Sequence, residues 1–230
     1  GGDGRAPVLI LAVRDDALAP LAASLAAVLP PAAAGAAAVH LSGALGPEIL
    51  APLAARGFGT AACHPLQTFT GSPEDAARLG DAAFAVEGSE VGRAAAEAVV
   101  RALGGRPFPL PSSARPLYHL AASLGANGLT GLVAAARDAL SATGLGPDAA
   151  LSALAPLLRA ALHEALRSGP EAALTGPVSR GDEATLERHR RALHAWDESR
   201  VALFEALLDE QRRLAGRCVA AADAKMPRSD

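Results

Sequence analysis

Residues 7–13, PVLILAV, form a continuous apolar run with β-branched residues, and RDDALAPLAASLAAVL (14–29) then spaces its apolar positions as a helix does. The same alternation returns along the first half. AAAVHLSG (36–43) precedes PEILAPLAARG (47–57), FGTAACH (58–64) leads into a PLQTF loop, and AAFAVEG (82–88) precedes SEVGRAAAEAVVRALGG (89–105). Short apolar strands alternating with helices predict an α/β unit built on a parallel sheet covered on both faces. GGRPFPLPSSARP (104–116) reads as a last short strand and a domain boundary.

Beyond residue 112 the period stays near that of a helix. Residues 115–144 are apolar around most of their circumference, which predicts a buried helix. Residues 146–169 predict a second helix, or a pair kinked or broken at Pro156. A long amphipathic helix is expected from Glu183 to Arg217, with Asp182 as its N-cap, and a disordered tail over 218–230. The chain therefore divides, as read, into 1–112, an all-α domain over 113–217, and the tail.

With 230 residues, half of them hydrophobic, the chain can bury one good core or two modest ones. A net charge of −3 with both signs interspersed argues against a nucleic-acid partner. Of 21 basic residues only Lys225 is a lysine, so lysine-based catalysis is discounted. Cys63 and Cys218 lie far apart and match no metal-ligand spacing, so no metal site or disulfide framework is expected. A reducing cytoplasm fits this usage. No apolar run looks long enough to span a bilayer, and no membrane role is expected.

Candidate chemistry gathers at strand ends. Ligands of open parallel sheets bind beyond the carboxyl ends of the strands, and three polar turns follow such ends: VRDD (13–16), HLSG (40–43) and CHPLQTF (63–69). Each alone is an ordinary polar turn; three on one edge point to a site. In the helical half, Arg115, His119, Ser123 and Asn127 recur every four residues along one stripe. His119 and Asn127 are expected to face a pocket, while Ser123 is expected to satisfy neighbouring backbone. Tyr118, beside them, is the chain's one tyrosine, and Arg180 in LTGPVSRGD could hold a carboxylate in a bidentate pair. His163, Glu164, His189 and His194 read as surface residues, and Trp196, Phe204, Leu207 and Leu214 as the apolar face of the last helix.

VHLSGALG, CHPLQTF, VEG, LGGRPFPL, YHLAASLGANGL and ALTGPVSRGD, in this order, resemble the domain-of-unknown-function 2520 family: bacterial Rossmann-like proteins with a C-terminal helical domain. That family is similar to ketopantoate reductase, pyrroline-carboxylate reductase and prephenate dehydrogenase. The resemblance implies a partial Rossmann-like sheet followed by an all-α domain, and an NAD(P)-dependent oxidoreductase of small hydroxy or keto acids. It places Ser42 and His64 at a hydride-transfer site. From the residues themselves, His64 is expected as acid/base, Ser42 and Asn127 to orient the substrate oxygen, and His119, Tyr118, Gln67 and Arg180 to stand around the substrate. Imidazole suits the role independently, because it titrates nearest neutral pH.

Two departures follow. The Gly-x-Gly-x-x-Gly strand–turn–helix that binds the cofactor pyrophosphate has no counterpart, since the glycines of GGDGRAP precede the first strand. The chain is therefore expected to lack its pyrophosphate-binding segment and to bind NADP or NAD weakly or not at all, through the nicotinamide-end contacts Val13, Asp15 and Gly43. The lysine on which ketopantoate reductases rely is also missing. A small carboxylate substrate and a homodimer are the expected partners, the latter because the helical half shows more apolar surface than half a sheet can cover. The alternative is a non-catalytic ligand-binding or sensor protein on the same scaffold.

Overall fold

The computed structural model describes the backbone of residues 6–223 and the side chains of residues 6–217. Most of the expected disordered tail, Lys225 and the Cys218 side chain thus fall outside the described residues. The chain forms two compact units, residues 1–130 and 131–230.

The first unit is α/β. In chain order it runs β1 (Val8–Leu11), α1 (Asp15–Val28), β2 (Ala37–His40), a 3₁₀ turn at Pro47–Leu50 leading into α2 (Ala51–Ala54), and β3 (Gly59–Pro65). A 3₁₀ segment at Pro73–Leu79, β4 (Ala83–Gly88), α3 (Glu90–Ala102), β5 (Arg106–Pro109) and α4 (Arg115–Ser123) follow. The strands make one sheet in the order β1-β2-β3-β4-β5. The sheet is mixed, because β3 and β4 pair antiparallel while the other pairs are parallel. This corrects the parallel expectation, and the connection explains it. A parallel crossover needs a helix of some length, whereas the Gly- and Pro-bearing residues 66–82 offer only the short 3₁₀ segment. That loop is pinned by Asp75, whose carboxylate accepts from the backbone N–H groups of Thr70, Gly71 and Ser72.

Side chains alternate across the strands and separate two cores. On one face Val39, Ala61, Cys63, Phe84 and Val86 pack with Ala96 and Val100 of α3. On the other, Leu11 and Ala38 pack with Leu18 and Ala22 of α1 and with Leu50 and Leu53. Gly59 and Gly92 allow α3 to cross β3 closely: a Cβ on Gly59 would come within 2.7 Å of the Gly92 nitrogen.

From Arg115 the chain stays helical through α4, a π-helical stretch at Leu124–Gly128, and α5 (Leu129–Ser141). The expected burial of this segment is not found in the single chain: Leu117, Leu120 and Leu124 are 70%, 52% and 64% exposed.

The second unit continues with α6 (Pro147–Ser168), α7 (Pro170–Ala173), α8 (Pro177–Arg180), α9 (Glu183–Trp196) and α10 (Val201–Asp223). Pro156 sits inside a continuous α6, so the chain is not broken there. By length and composition α6 could cross a membrane, contrary to the expectation that no run is long enough, although it carries Arg159, Glu164 and Arg167. The single helix expected over 183–217 is two helices. Asp197 leaves the helical region at φ −156°, and its carboxylate caps a new turn through the Ser199 N–H. Asp182 is the N-cap of α9, accepting from the Thr185 N–H at 3.0 Å.

Candidate active site

β-strand alternation decides which groups meet. Antiparallel register sets His64 opposite Ala85 and Ala62 opposite Glu87, so His64 and Glu87 share the sheet face turned away from Cys63 and Val86. α4 begins at Arg115, and Tyr118 and His119 follow three and four residues later on the same side of the helix.

His64 and Tyr118 form the centre of the site. The His64 Nδ1 lies 2.6 Å from the Tyr118 hydroxyl, and the rings meet edge to face at 5.5 Å. Two arrangements satisfy the pair. The hydroxyl can donate to Nδ1, leaving the proton on Nε2, or it can accept from Nδ1–H and donate to the His64 carbonyl oxygen at 3.4 Å. Burial, reinforced by His119 and Arg115, pulls the His64 pKa down to about 4, against a weaker opposite pull from Asp15. Burial likewise pushes the Tyr118 phenol up to about 12 and the Cys63 thiol up to about 11. At neutral pH the pair is therefore uncharged, and a proton can pass along it only within a neutral hydrogen bond.

Below the imidazole lies the turn after β2. Its shape follows from His40, which is fully buried. The Ser42 N–H can only donate, so His40 Nδ1 accepts it at 3.2 Å and the ring proton sits on Nε2, facing the Gly46 carbonyl at 3.0 Å. Burial lowers the His40 pKa, in keeping with a neutral ring. The Ser42 hydroxyl accepts from the Ala44 and Leu45 N–H groups at 3.2 and 3.1 Å. Gly43 is buried beneath two imidazoles: a Cβ there would stand 2.8 Å from His64 Nε2 and 2.9 Å from His119 Cδ2. Only glycine leaves room for both rings.

A cavity of about 530 Å³ opens beside the pair, lined among others by His64, Gln67, Thr68, Tyr118, Asn127 and Thr130. Asn127 comes from the π-helical stretch, where the extra residue in the turn re-aims side chains. Gln67, His119 and Asn127 are exposed and Tyr118 is half-buried. The described structure thus gathers His64, Tyr118, Gln67 and Asn127 around one cavity, with Gly43 and His119 packed against its histidine. Val13 and Asp15 stand exposed in the turn between β1 and α1. Arg180 is exposed at the end of α8, in the second unit. A second, wholly apolar cavity of about 310 Å³, lined by Val8, Ile10, Cys63 and Phe84 among others, lies on the opposite sheet face and offers no polar group to a substrate.

Sequence reasoning missed Glu87. It is 8% exposed, and its carboxylate receives Arg115 Nε at 3.0 Å and Nη2 at 2.7 Å, together with the Ser112 hydroxyl. An acid within the otherwise apolar AAFAVEG was the available signal, since a strand buried on both faces has no place for a lone carboxylate.

Residues 82–210 match the model of the family described as domain of unknown function (DUF2520), and residues 3–65 match a Rossmann-like domain. The chain belongs to the DUF2520 family. No curated protein sequence matches it. Among solved structures, this DUF2520 chain is similar to protein TM1727 from Thermotoga maritima (24% identity, TM-score 0.74, covering 94% of this chain and 81% of that one). It is also similar to a "putative NADP oxidoreductase" from Bacteroides fragilis (25%, TM-score 0.68, 90% and 75%). A pyrroline carboxylate reductase from Plasmodium falciparum, with NADP bound, shares the fold at 10% identity (TM-score 0.57, 90% and 80%).

Proposed function

We propose that this DUF2520 chain carries the substrate side of an NAD(P)-dependent oxidoreductase acting on a small hydroxy or keto acid. The observation that carries the reading is the His64–Tyr118 hydrogen bond at the wall of a cavity that also presents the amides of Gln67 and Asn127. Support comes from the likeness to the Bacteroides fragilis protein, described as an NADP oxidoreductase.

A dinucleotide would need a cradle for its pyrophosphate, and the described residues do not fit one. The helix that follows the first strand opens with Asp15 and Asp16, which repel phosphate. The turn after β2 spends the Ser42, Ala44 and Leu45 N–H groups internally. The roles assigned are therefore those of the chain's own groups toward substrate. Tyr118 and His64 hold the substrate oxygen and move a proton to or from it, with water restoring the pair. Asn127 and Gln67 orient that oxygen, Ser42 keeps the turn in shape and His119 supports His64. A second copy of the chain is the partner proposed for the exposed leucines of α4, with light scattering at high concentration as the check.

The decisive assay offers a panel of 2-keto acids to the 230-residue chain with NADPH and, separately, with reduced nicotinamide mononucleotide, which has no pyrophosphate to place. The expected result is no micromolar NADP binding by calorimetry, and slow turnover with the mononucleotide that falls by about 10²-fold or more in Tyr118→Phe or His64→Ala. A keto acid that binds without turnover on either donor favours the sensor reading, which the acidic first turn of α1 supports.

A further inference from the structure

Arg115 is 3% exposed, and its guanidinium is divided between two duties. Nε and Nη2 face Glu87 on β4, while Nη1 lies 3.4 Å from the carbonyl oxygens of both Ser42 and Gly43. Both Glu87 carboxylate oxygens are occupied, one by Arg115 and one by the Ser112 hydroxyl. One side chain thus ties together β4, the turn after β2 and the first turn of α4. A buried ion pair is a poor source of stability, since apolar residues of the same volume often do as well or better. What it does supply is a fixed geometry, because the planar fork accepts few arrangements.

That geometry bears on the site from two directions. The carbonyls held by Arg115 belong to the turn whose Gly43 lies under His64 Nε2. The helix that Arg115 begins carries Tyr118, the partner of His64 Nδ1. The imidazole is therefore held between two elements that meet at Arg115 and where His119 packs over Gly43. We infer that Glu87 and Arg115 are positioning residues, which set the His64–Tyr118 hydrogen bond by fixing the Ser42–Gly43 turn and α4 against the sheet, without touching substrate. The functional meaning rests on the acid–base role proposed for His64; the geometric statement does not.

The test uses the full chain with ¹⁵N-labelled histidine and reads His64 by NMR, in the parent and in the apolar exchange Glu87→Leu/Arg115→Met, which leaves no orphaned charge. Tyr118→Phe gives the signature of a lost Nδ1 bond. The expected result is a folded double variant, with a melting temperature within a few degrees of the parent, whose His64 ring shows the Tyr118→Phe pattern. A folded double variant with the parental His64 pattern overturns the inference. Should the apolar exchange unfold the chain, Arg115→Lys decides in the same way, because it keeps the charge and loses the fork. If His64 shifts as expected but the parent turns over no keto acid, the oxidoreductase reading fails alone.

Discussion

The turns after β1 and after β2 leave the same edge of the sheet from neighbouring parallel strands, and both are short and polar. They are held very differently. Val13, Arg14, Asp15 and Asp16 are all exposed, and their one ion pair, Arg14 with Asp16, has both side chains mostly in solvent, where such pairs contribute little. Ser42, Gly43 and Gly46 are buried, and every contact that shapes them comes from inside: His40 below, the Ser42 hydroxyl within, Arg115 across. A polar turn at a strand end is thus two different things. One is an open surface whose chemistry is its charge; the other is a rigid floor whose chemistry is what it supports.

The sharpest way to break this contrast is Arg115→Ala. It strands Glu87 as a buried carboxylate, and the expected loss is about 3–5 kcal/mol in denaturant unfolding. A loss below about 1 kcal/mol would mean the β2 turn is no more firmly held than its neighbour.

Gly43→Ala comes next. The new methyl must push His64 or His119 aside, with an expected cost of about 1–3 kcal/mol and a displaced His64 resonance. Unchanged stability and an unmoved imidazole would show that the floor yields.

A smaller effect is expected from pH. His64 titrates near 4 when folded and near 6.5 when unfolded, and His40 is shifted in the same direction. Between those values the unfolded chain takes up protons that the folded chain refuses, so stability is full above about pH 6.5 and declines as pH falls toward 4. Melting temperatures measured across that window should fall, and less steeply in His64→Asn. An equal slope in the variant removes His64 from the account.

The smallest effect belongs to the open turn. Asp15→Asn with Asp16→Asn removes acids that favour a helix N-terminus, and it should cost no more than about 1 kcal/mol by thermal melt. A larger loss would make this turn structural as well.

Much of the fold was legible in the sequence. The strands at Val8–Leu11, Ala37–His40 and Ala83–Gly88 fall within apolar runs, Gly59–Pro65 outruns its own by one residue, and α1 and α3 follow where the period changes. Asp182 announced its helix start. The errors share a cause. The direction of β4, the exposure of α4 and the break at Asp197 depend on what each element packs against, and periodicity does not carry that information. In the site, His64, Tyr118, His119 and Asn127 stood out as residue types. Ser42 was singled out too, yet its hydroxyl proved to be turned inward on its own loop.

By itself the sequence determined which segments are strands and helices, because periods of two and 3.6 residues and the Gly–Pro breaks between them are local properties. It also determined that His64 ends a strand and that Tyr118 and His119 share a helix side with Arg115. Only the tertiary structure decided that His64 and Glu87 share one sheet face, that Arg115 joins Glu87 across 28 residues, and that the same guanidinium reaches Ser42 and Gly43 across 73 and 72. The reason is physical: burial of a charge is tolerated only where a partner is already waiting, and that partner is set by strand register and helix docking.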